Sequence, residues 1–304
     1  MAAAAPSLPD AILGPRQGGA ATSAVILCHG LGDTSEGWTE TVRHALLPAL
    51  PSTRFILPTA VTQPVTINGG APCPSWYNIE SLTTSRALER CQGLEASVAR
   101  LQALVAGQVA AGIPESRIAL VGFSQGGALS LYTALTWPGA APLAGVHVLS
   151  GYLPRPGGVA PTPATLQRMP VRLYHGSADA VVPLVAAQDA EARCRALGVA
   201  DVRLAVYDGL AHSASERELA ELAQALAAAL QPPAPPPAPV TKEALADMTS
   251  KQLKAFLVQR NAGSARIAAC IEKSELLALA LEVLGLGRGA GKGEERKKTR
   301  THGI

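Results

Sequence analysis

The chain has 304 residues, 48% hydrophobic and 16% charged, which suffices for a sizeable core and excludes a chain disordered throughout. Its formal charge of +3 hides two compositions. Residues 1–230 carry 14 basic and 16 acidic side chains, every basic one an arginine, whereas residues 231–304 carry 12 basic and 7 acidic ones and hold all seven lysines. The opening Met1–Asp10 lacks a positive n-region and is cut by Pro6 and Pro9, so it does not read as a signal peptide. The five cysteines (Cys28, Cys73, Cys91, Cys194, Cys270) are odd in number and form no CxxC, which points to free thiols. No run of about 18 apolar residues escapes interruption by Gly, Pro or a charge, so no membrane span is expected. A soluble, cytoplasmic protein is the expectation.

In chain order, Ala24–Cys28 is a compact apolar run ended by His29-Gly30 and reads as a buried strand, as does Arg54–Leu57 before Pro58. Segment 58–81 is long and rich in Pro and Gly, a loop of the length that usually serves function. The spacing of Leu88, Leu94, Val98, Leu101, Leu104 and Val105 predicts a helix over 85–111, stopped by Gly112. A strand at 118–121, a helix near 126–136, strands at 145–149 and 171–174, a helix over 184–197, a strand at 202–207 and a helix over 215–230 follow. Apolar strands alternating with helices predict an α/β fold with a mostly parallel sheet covered on both faces. Residues 231–240 form a Pro-rich linker, semi-rigid at about 3.1 Å per residue where it is polyproline. Residues 241–285 read as a small helical module and 286–304 as a Gly-rich basic disordered tail.

Gly122-Phe123-Ser124-Gln125-Gly126 is a G-x-S-x-G that follows one predicted strand and opens a helix, the context a nucleophile elbow needs. A serine hydroxyl is a weak nucleophile without a base, and the base needs an orienting acid. In this arrangement the chain order is Ser, then Asp or Glu, then His. His147 lies inside an apolar strand, His175 ends a strand where it would hold the following turn, and His302 lies in the tail. His212, between the last predicted strand and the last helix, is the candidate base. Asp179 follows the penultimate strand and is the candidate acid. Asp201 precedes a strand, on the wrong edge, and Asp208 is too close in sequence to His212. Gln125 offers a backbone N–H at a helix N-terminus, and the Gly-flanked Leu31 of His29-Gly30-Leu31-Gly32-Asp33 offers a second. Together they make a candidate oxyanion hole.

Residues 8–230 resemble the acyl-protein thioesterases of the carboxylesterase/lysophospholipase type, which are α/β-hydrolases. The resemblance is carried by Val25–Thr34 with Trp38, Pro74-Ser75-Trp76-Tyr77, Gly122–Ser130, His175-Gly176 with Asp179, and His212-Ser213. It implies Ser124, Asp179 and His212 as a triad, the Leu31 and Gln125 amides as the oxyanion hole, and S-palmitoyl cysteines as substrate, with lysophospholipids and simple esters as related acyl donors. It also implies Trp76, Ile79, Leu82, Tyr152 and Val181 as substrate-binding residues, the last four forming an acyl channel, and no cofactor or metal. Glu80 stands where the pattern is apolar, which would put a charge in or beside that channel. Asn78 replaces an aspartate, and the cysteine after Met1 through which relatives are acylated is missing.

Beyond the linker, Met248–Lys254 starts a helix with Ser250 as its expected cap, a turn follows at Asn261-Ala262-Gly263, and Cys270–Leu276 leads into an apolar run ending at Leu284. This pattern resembles a SAP-type helix–extended–helix module, most closely the C-terminal one of the ARMET neurotrophic factors. Only one cysteine of their CxxC is present, as Cys270, so redox chemistry is not expected. SAP modules imply contact with nucleic acid, and the positive charge of this segment would suit phosphates; protein docking is the equal alternative. For the catalytic unit the alternative is a carboxylesterase or lysophospholipase acting on oxyesters.

Overall fold

A computed structural model of the chain describes residues 9–16, 18–81, 89–162, 169–231 and 240–285. The chain divides into two compact units, Met1–Pro232 and Pro233–Ile304. In the first, seven strands form one sheet: β1 (Ala11–Leu13), β2 (Ser23–Cys28), β3 (Thr53–Leu57), β6 (Ile118–Phe123), β7 (Gly145–Leu149), β8 (Val171–Gly176) and β9 (Val202–Tyr207), in the order β1-β3-β2-β6-β7-β8-β9. All pairings are parallel except β1 with β3. Segment 58–81 contains a hairpin of its own, β4 (Thr62–Pro64) paired with β5 (Pro72–Pro74).

Both faces of the sheet are covered. Ala24, Ile26 and Cys28 of β2 point to one core with α2 (Leu94–Ala110), α3 (Gln125–Leu135) and α4 (Leu184–Ala196). Val25 and Leu27 point to the other, with α1 (Ser35–Thr41) and α5 (Glu216–Ala229). A strand buried on both faces needs apolar residues at every position, which is why β2 reads as a continuous run. The chain lays β3 beside β2 on one side and then crosses to place β6 on the other. The order therefore reverses between β2 and β6, and the carboxyl ends of these two strands flank the crevice where open α/β sheets bind their ligands.

The mostly parallel α/β sheet expected from the alternation, covered on both faces, is the one observed, with local differences. The helix expected over 85–111 begins only at Leu94, because Cys91 and Gly93 adopt φ values of 47° and 97°, which no helix continues through. Residues 82–88 lie outside the described residues. The helix α1, continued by a π-turn over Val42–Leu46, was not expected, and neither was β1.

The second unit consists of α6 (Lys242–Asp247), α7 (Ser250–Gln259), α8 (Ser264–Ala269) and α9 (Lys273–Val283), closed around Leu245, Leu253, Leu257, Ile267, Leu276 and Leu279. The cap of α7 is Thr249 rather than Ser250: its hydroxyl accepts from Gln252 N–H while Gln252 Oε1 accepts from Thr249 N–H, a reciprocal capping box. Between α7 and α9 the chain forms the short α8 where extended backbone was expected. The polyproline linker (232–239) and the basic tail (286–304) lie outside the described residues.

Candidate active site

At the end of β6 the chain turns through Ser124 into α3. Ser124 holds φ 53° and ψ −118°, a conformation that L-residues adopt only when their surroundings impose it. The flanking glycines explain how the surroundings do so. A Cβ on Gly122 would stand 2.2 Å from the Gly126 carbonyl oxygen, and one on Gly126 would stand 2.3 Å from the Cys28 and 2.4 Å from the His29 carbonyl oxygens. The backbone of the elbow thus packs directly on itself and on the end of β2, which lifts the serine side chain above the sheet.

There, Ser124 Oγ lies 3.0 Å from His212 Nε2, and His212 Nδ1 lies 2.7 Å from Asp179 Oδ2. The three come from the loops after β6, β8 and β9. The Asp179 side chain is fully buried, and its Oδ1 accepts N–H bonds from Val181 at 2.9 Å and Val182 at 2.8 Å, so the carboxylate is anchored on one oxygen and presents the other to the imidazole. With Nδ1–H donated to a carboxylate, Nε2 carries the lone pair that can take the serine proton. The Phe123 ring packs against the His212 ring (centroids 4.8 Å apart) and against Trp38 (5.5 Å), limiting how the imidazole can swing. The rival acids are engaged elsewhere: Asp201 in a two-oxygen ion pair with Arg172, Asp208 accepting from Ser177 Oγ.

Of the histidines weighed as rivals, His175 and His147 are buried. His175 donates from Nε2 to the Val182 carbonyl at 2.7 Å and stands 3.5 Å from Asp179 Oδ2, and burial depresses its pKa. It therefore braces the turn that carries Asp179. His147 faces the Tyr174 hydroxyl, and burial pushes its pKa down to about 3. His302 lies outside the described residues.

The backbone N–H groups of Leu31 and Gln125 take no partner among the described residues. Both residues border a cavity of about 250 Å³ together with Gly30, Asp33, Ile79, Phe123, Ser124, Tyr152, Val181, Val182 and His212. Ile79, Tyr152 and Val181 thus line the space beside Ser124, whereas Leu82 lies outside the described residues. One expectation is corrected: Trp76 does not border the cavity; it is buried, donating from Nε1 to the His29 carbonyl at 2.8 Å. Glu80 follows the cavity-lining Ile79 in the chain without lining the cavity itself, and its carboxylate is in an ion pair with Arg90 (2.7 Å) that holds its pKa below the usual carboxylate value. Asn78 accepts from Thr66 N–H and donates to Thr66 Oγ1, tying its loop to the turn after β4.

Sequence reasoning missed the Gln125 side chain. It is buried, donates from Nε2 to Tyr77 O (2.6 Å) and Ser75 Oγ (3.1 Å), and accepts Trp76 N–H on Oε1 at 3.1 Å. The signal that could have found it is a long polar side chain at the first turn of a wholly buried helix that carries no charged residue. Among the described residues no group of three or more His, Cys, Asp or Glu side chains could hold a metal ion.

A family model described as Phospholipase/Carboxylesterase matches residues 15–230. The chain is 38% identical over 228 residues to acyl-protein thioesterase 1 of Mycosarcoma maydis, covering 70% of this chain and 93% of that protein. It is 36% identical over 206 residues to acyl-protein thioesterase 1 of Yarrowia lipolytica, covering 66% and 89%. Among solved structures, it superposes on Zea mays acyl-protein thioesterase 2 with a TM-score of 0.63 at 27% identity, covering 73% of this chain and 99% of that one. Esterase PE8 gives a TM-score of 0.59 at 30% identity, covering 72% and 97%.

Proposed function

Because the chain belongs to the phospholipase/carboxylesterase family, we propose that it is a serine hydrolase that cleaves S-acyl thioesters, such as palmitoyl-cysteine, on proteins through an acyl-enzyme. The observation that carries this reading is the unbroken chain of contacts from Ser124 Oγ to His212 at 3.0 Å and from His212 to Asp179 at 2.7 Å, beside an apolar cavity. The relatives named acyl-protein thioesterase support the thioester rather than the oxyester as the natural bond.

His212 takes the Ser124 proton as Oγ attacks the thioester carbonyl carbon, while Asp179 stabilises the imidazolium. The carbonyl oxygen becomes an oxyanion facing the Leu31 and Gln125 amides, each such donor worth roughly 10²–10³ in rate. The C–S bond then breaks, and the departing sulfur takes the proton from His212. Water, deprotonated by the same imidazole, attacks the acyl carbon; the ester bond to Ser124 Oγ then breaks, the fatty acid leaves, and His212 returns the proton to Oγ. The acyl chain lies along Leu31, Ile79, Tyr152 and Val181, four of the apolar and aromatic members of the cavity wall.

All five cysteines are free thiols, which supports a reducing, cytoplasmic setting, and no helix among the described residues is long and apolar enough to cross a membrane. The separate core of residues 241–285 supports reading it as an accessory SAP-like module that contacts protein or nucleic acid, with 8–230 as the catalytic domain and 231–240 as the linker. Turnover of a palmitoyl-thioester peptide, lysophosphatidylcholine and a short p-nitrophenyl ester tests the substrate. The thioester should be hydrolysed fastest, and a preference for lysophosphatidylcholine would overturn the assignment. Comparing hydrolysis and DNA retention between the full chain and one ending at Gln231 tests the module.

A further inference from the structure

The loop that carries Leu31 holds one buried group with no part in the proton transfers above. His29 is 1% exposed, and both its ring nitrogens are engaged. Nε2 accepts the Ala60 N–H at 3.0 Å, so the ring proton must sit on Nδ1, which lies 2.6 Å from the Gly30 carbonyl oxygen and donates to it. The same oxygen accepts the Asp33 N–H at 3.3 Å. The ring is further fixed by a tilted contact with Trp76, centroids 5.0 Å and planes 37° apart, and Trp76 Nε1 holds the His29 carbonyl. Burial lowers the His29 pKa, in the same direction as the acceptor role that the Ala60 N–H gives Nε2.

The carbonyl that His29 holds belongs to the Gly30–Leu31 peptide. In a planar trans peptide the C=O and the following N–H point in opposite directions, so fixing the Gly30 oxygen on one side aims the Leu31 N–H to the other. That other side is the site: a Cβ on Gly30 would stand 3.5 Å from Ser124 Cβ, and both Gly30 and Leu31 border the cavity. We propose that His29 is a positioning residue for the oxyanion hole, its Nδ1–H locking the Gly30–Leu31 peptide so that the Leu31 N–H faces the developing oxyanion before substrate arrives. The role rests on the reading of Ser124 as the nucleophile. A donor aimed in advance contributes to the transition state without reorganisation, which is what distinguishes such a lock from simple loop stability.

Two substitutions separate the two ring nitrogens. The amide nitrogen of His29→Asn stands where Nδ1 stands and can still donate to the Gly30 carbonyl. The amide of His29→Gln reaches the Nε2 position, where it can satisfy Ala60 but leaves Gly30 unheld. Both lose the ring contact with Trp76. With a short p-nitrophenyl ester, His29→Gln should lower kcat about 10- to 100-fold with KM within about twofold, and weaken a trifluoromethyl ketone inhibitor in proportion, while His29→Asn keeps kcat within about threefold. Equal losses, no loss, or the reverse ranking would overturn the proposal. If neither variant folds, imidazole ¹⁵N NMR of the native protein decides: a neutral ring protonated at Nδ1 at pH 7 supports the lock, and an Nε2–H or cationic ring overturns it. Fluorophosphonate labelling of the native protein runs alongside. An unlabelled native protein indicts the nucleophile, whereas labelled protein with undiminished His29→Gln turnover indicts the positioning role alone.

Discussion

Gln125 Nε2 donates to the Tyr77 carbonyl at 2.6 Å, so the residue that follows the proposed nucleophile borders the cavity and holds the neighbouring loop with its side chain. Gln125→Leu would remove one of the two donors to the Tyr77 carbonyl, which Ser75 Oγ also holds, and would take the acceptor from the buried Trp76 N–H and a hydrogen-bond partner from Ser75. The expected cost is on the order of 2–4 kcal/mol, or roughly 5–10 °C in Tm. Thermal unfolding followed by circular dichroism measures it, and a shift below about 1 °C would mean that the loop is held by other contacts.

Asp179→Asn preserves an oxygen for the Val181 and Val182 amides, so the turn should survive. An amide NH₂ facing His212 Nδ1 would instead demand a proton on Nε2, the nitrogen that must accept from Ser124. A loss in kcat of about 10⁴ is expected, with Tm close to that of the parent. Stopped assays with a p-nitrophenyl ester check this, and retention of a tenth of the activity would refute an acid role for Asp179.

Glu218 ties stability to pH. It closes the capping box of α5 with Ser215, yet its Oε1 is buried and has no hydrogen-bond partner among the described residues. Burial raises its pKa from the ordinary 4.5 to about 7. Between those values the folded state binds more protons than the unfolded one, so stability falls as pH rises through that window. Glu218→Gln keeps the cap and removes the titration. The variant should match the parent near pH 4.5 and exceed it at pH 8 by on the order of 2 kcal/mol, read as a higher urea midpoint. Equal midpoints at pH 8 would contradict it.

Two glycines should respond in opposite ways to the same change. Gly126→Ala puts a methyl 2.3 Å from the Cys28 carbonyl oxygen, a backbone atom that cannot move aside. It should cost on the order of 3 kcal/mol or more and abolish ester hydrolysis. Gly107, exposed within α2, has nothing within 4 Å of such a methyl, and Gly107→Ala should stabilise by about 0.5–1 kcal/mol with activity unchanged. Denaturant titrations of the two variants provide the comparison.

The parts of the molecule that burial dictates were readable from the chain. Strands such as β2 and β6 announce themselves as apolar runs, and Ser124, Asp179 and His212 stand at strand ends where topology brings loops together. What escaped depends on partners distant in sequence. The three-residue β1 exists only because β3 offers it an edge, with Ala11 opposite Leu57. The late start of α2 follows from left-handed backbone at Cys91 and Gly93. That Arg90, ten residues on, pairs with the Glu80 carboxylate is likewise not visible from sequence position alone. Trp76 was expected to touch substrate, since nothing local shows that its indole is committed to His29.

The close seating of Gly126 on the ends of Cys28 and His29 divides the walls of the pocket by mechanical character. Serine turn and oxyanion loop touch backbone to backbone and can only move as one block, so accommodating acyl groups of different girth falls to the opposite rim, where Val181 is 43% exposed. Efforts to widen or narrow the range of acyl donors should therefore redesign residue 181 and its neighbours and leave the glycine seam alone.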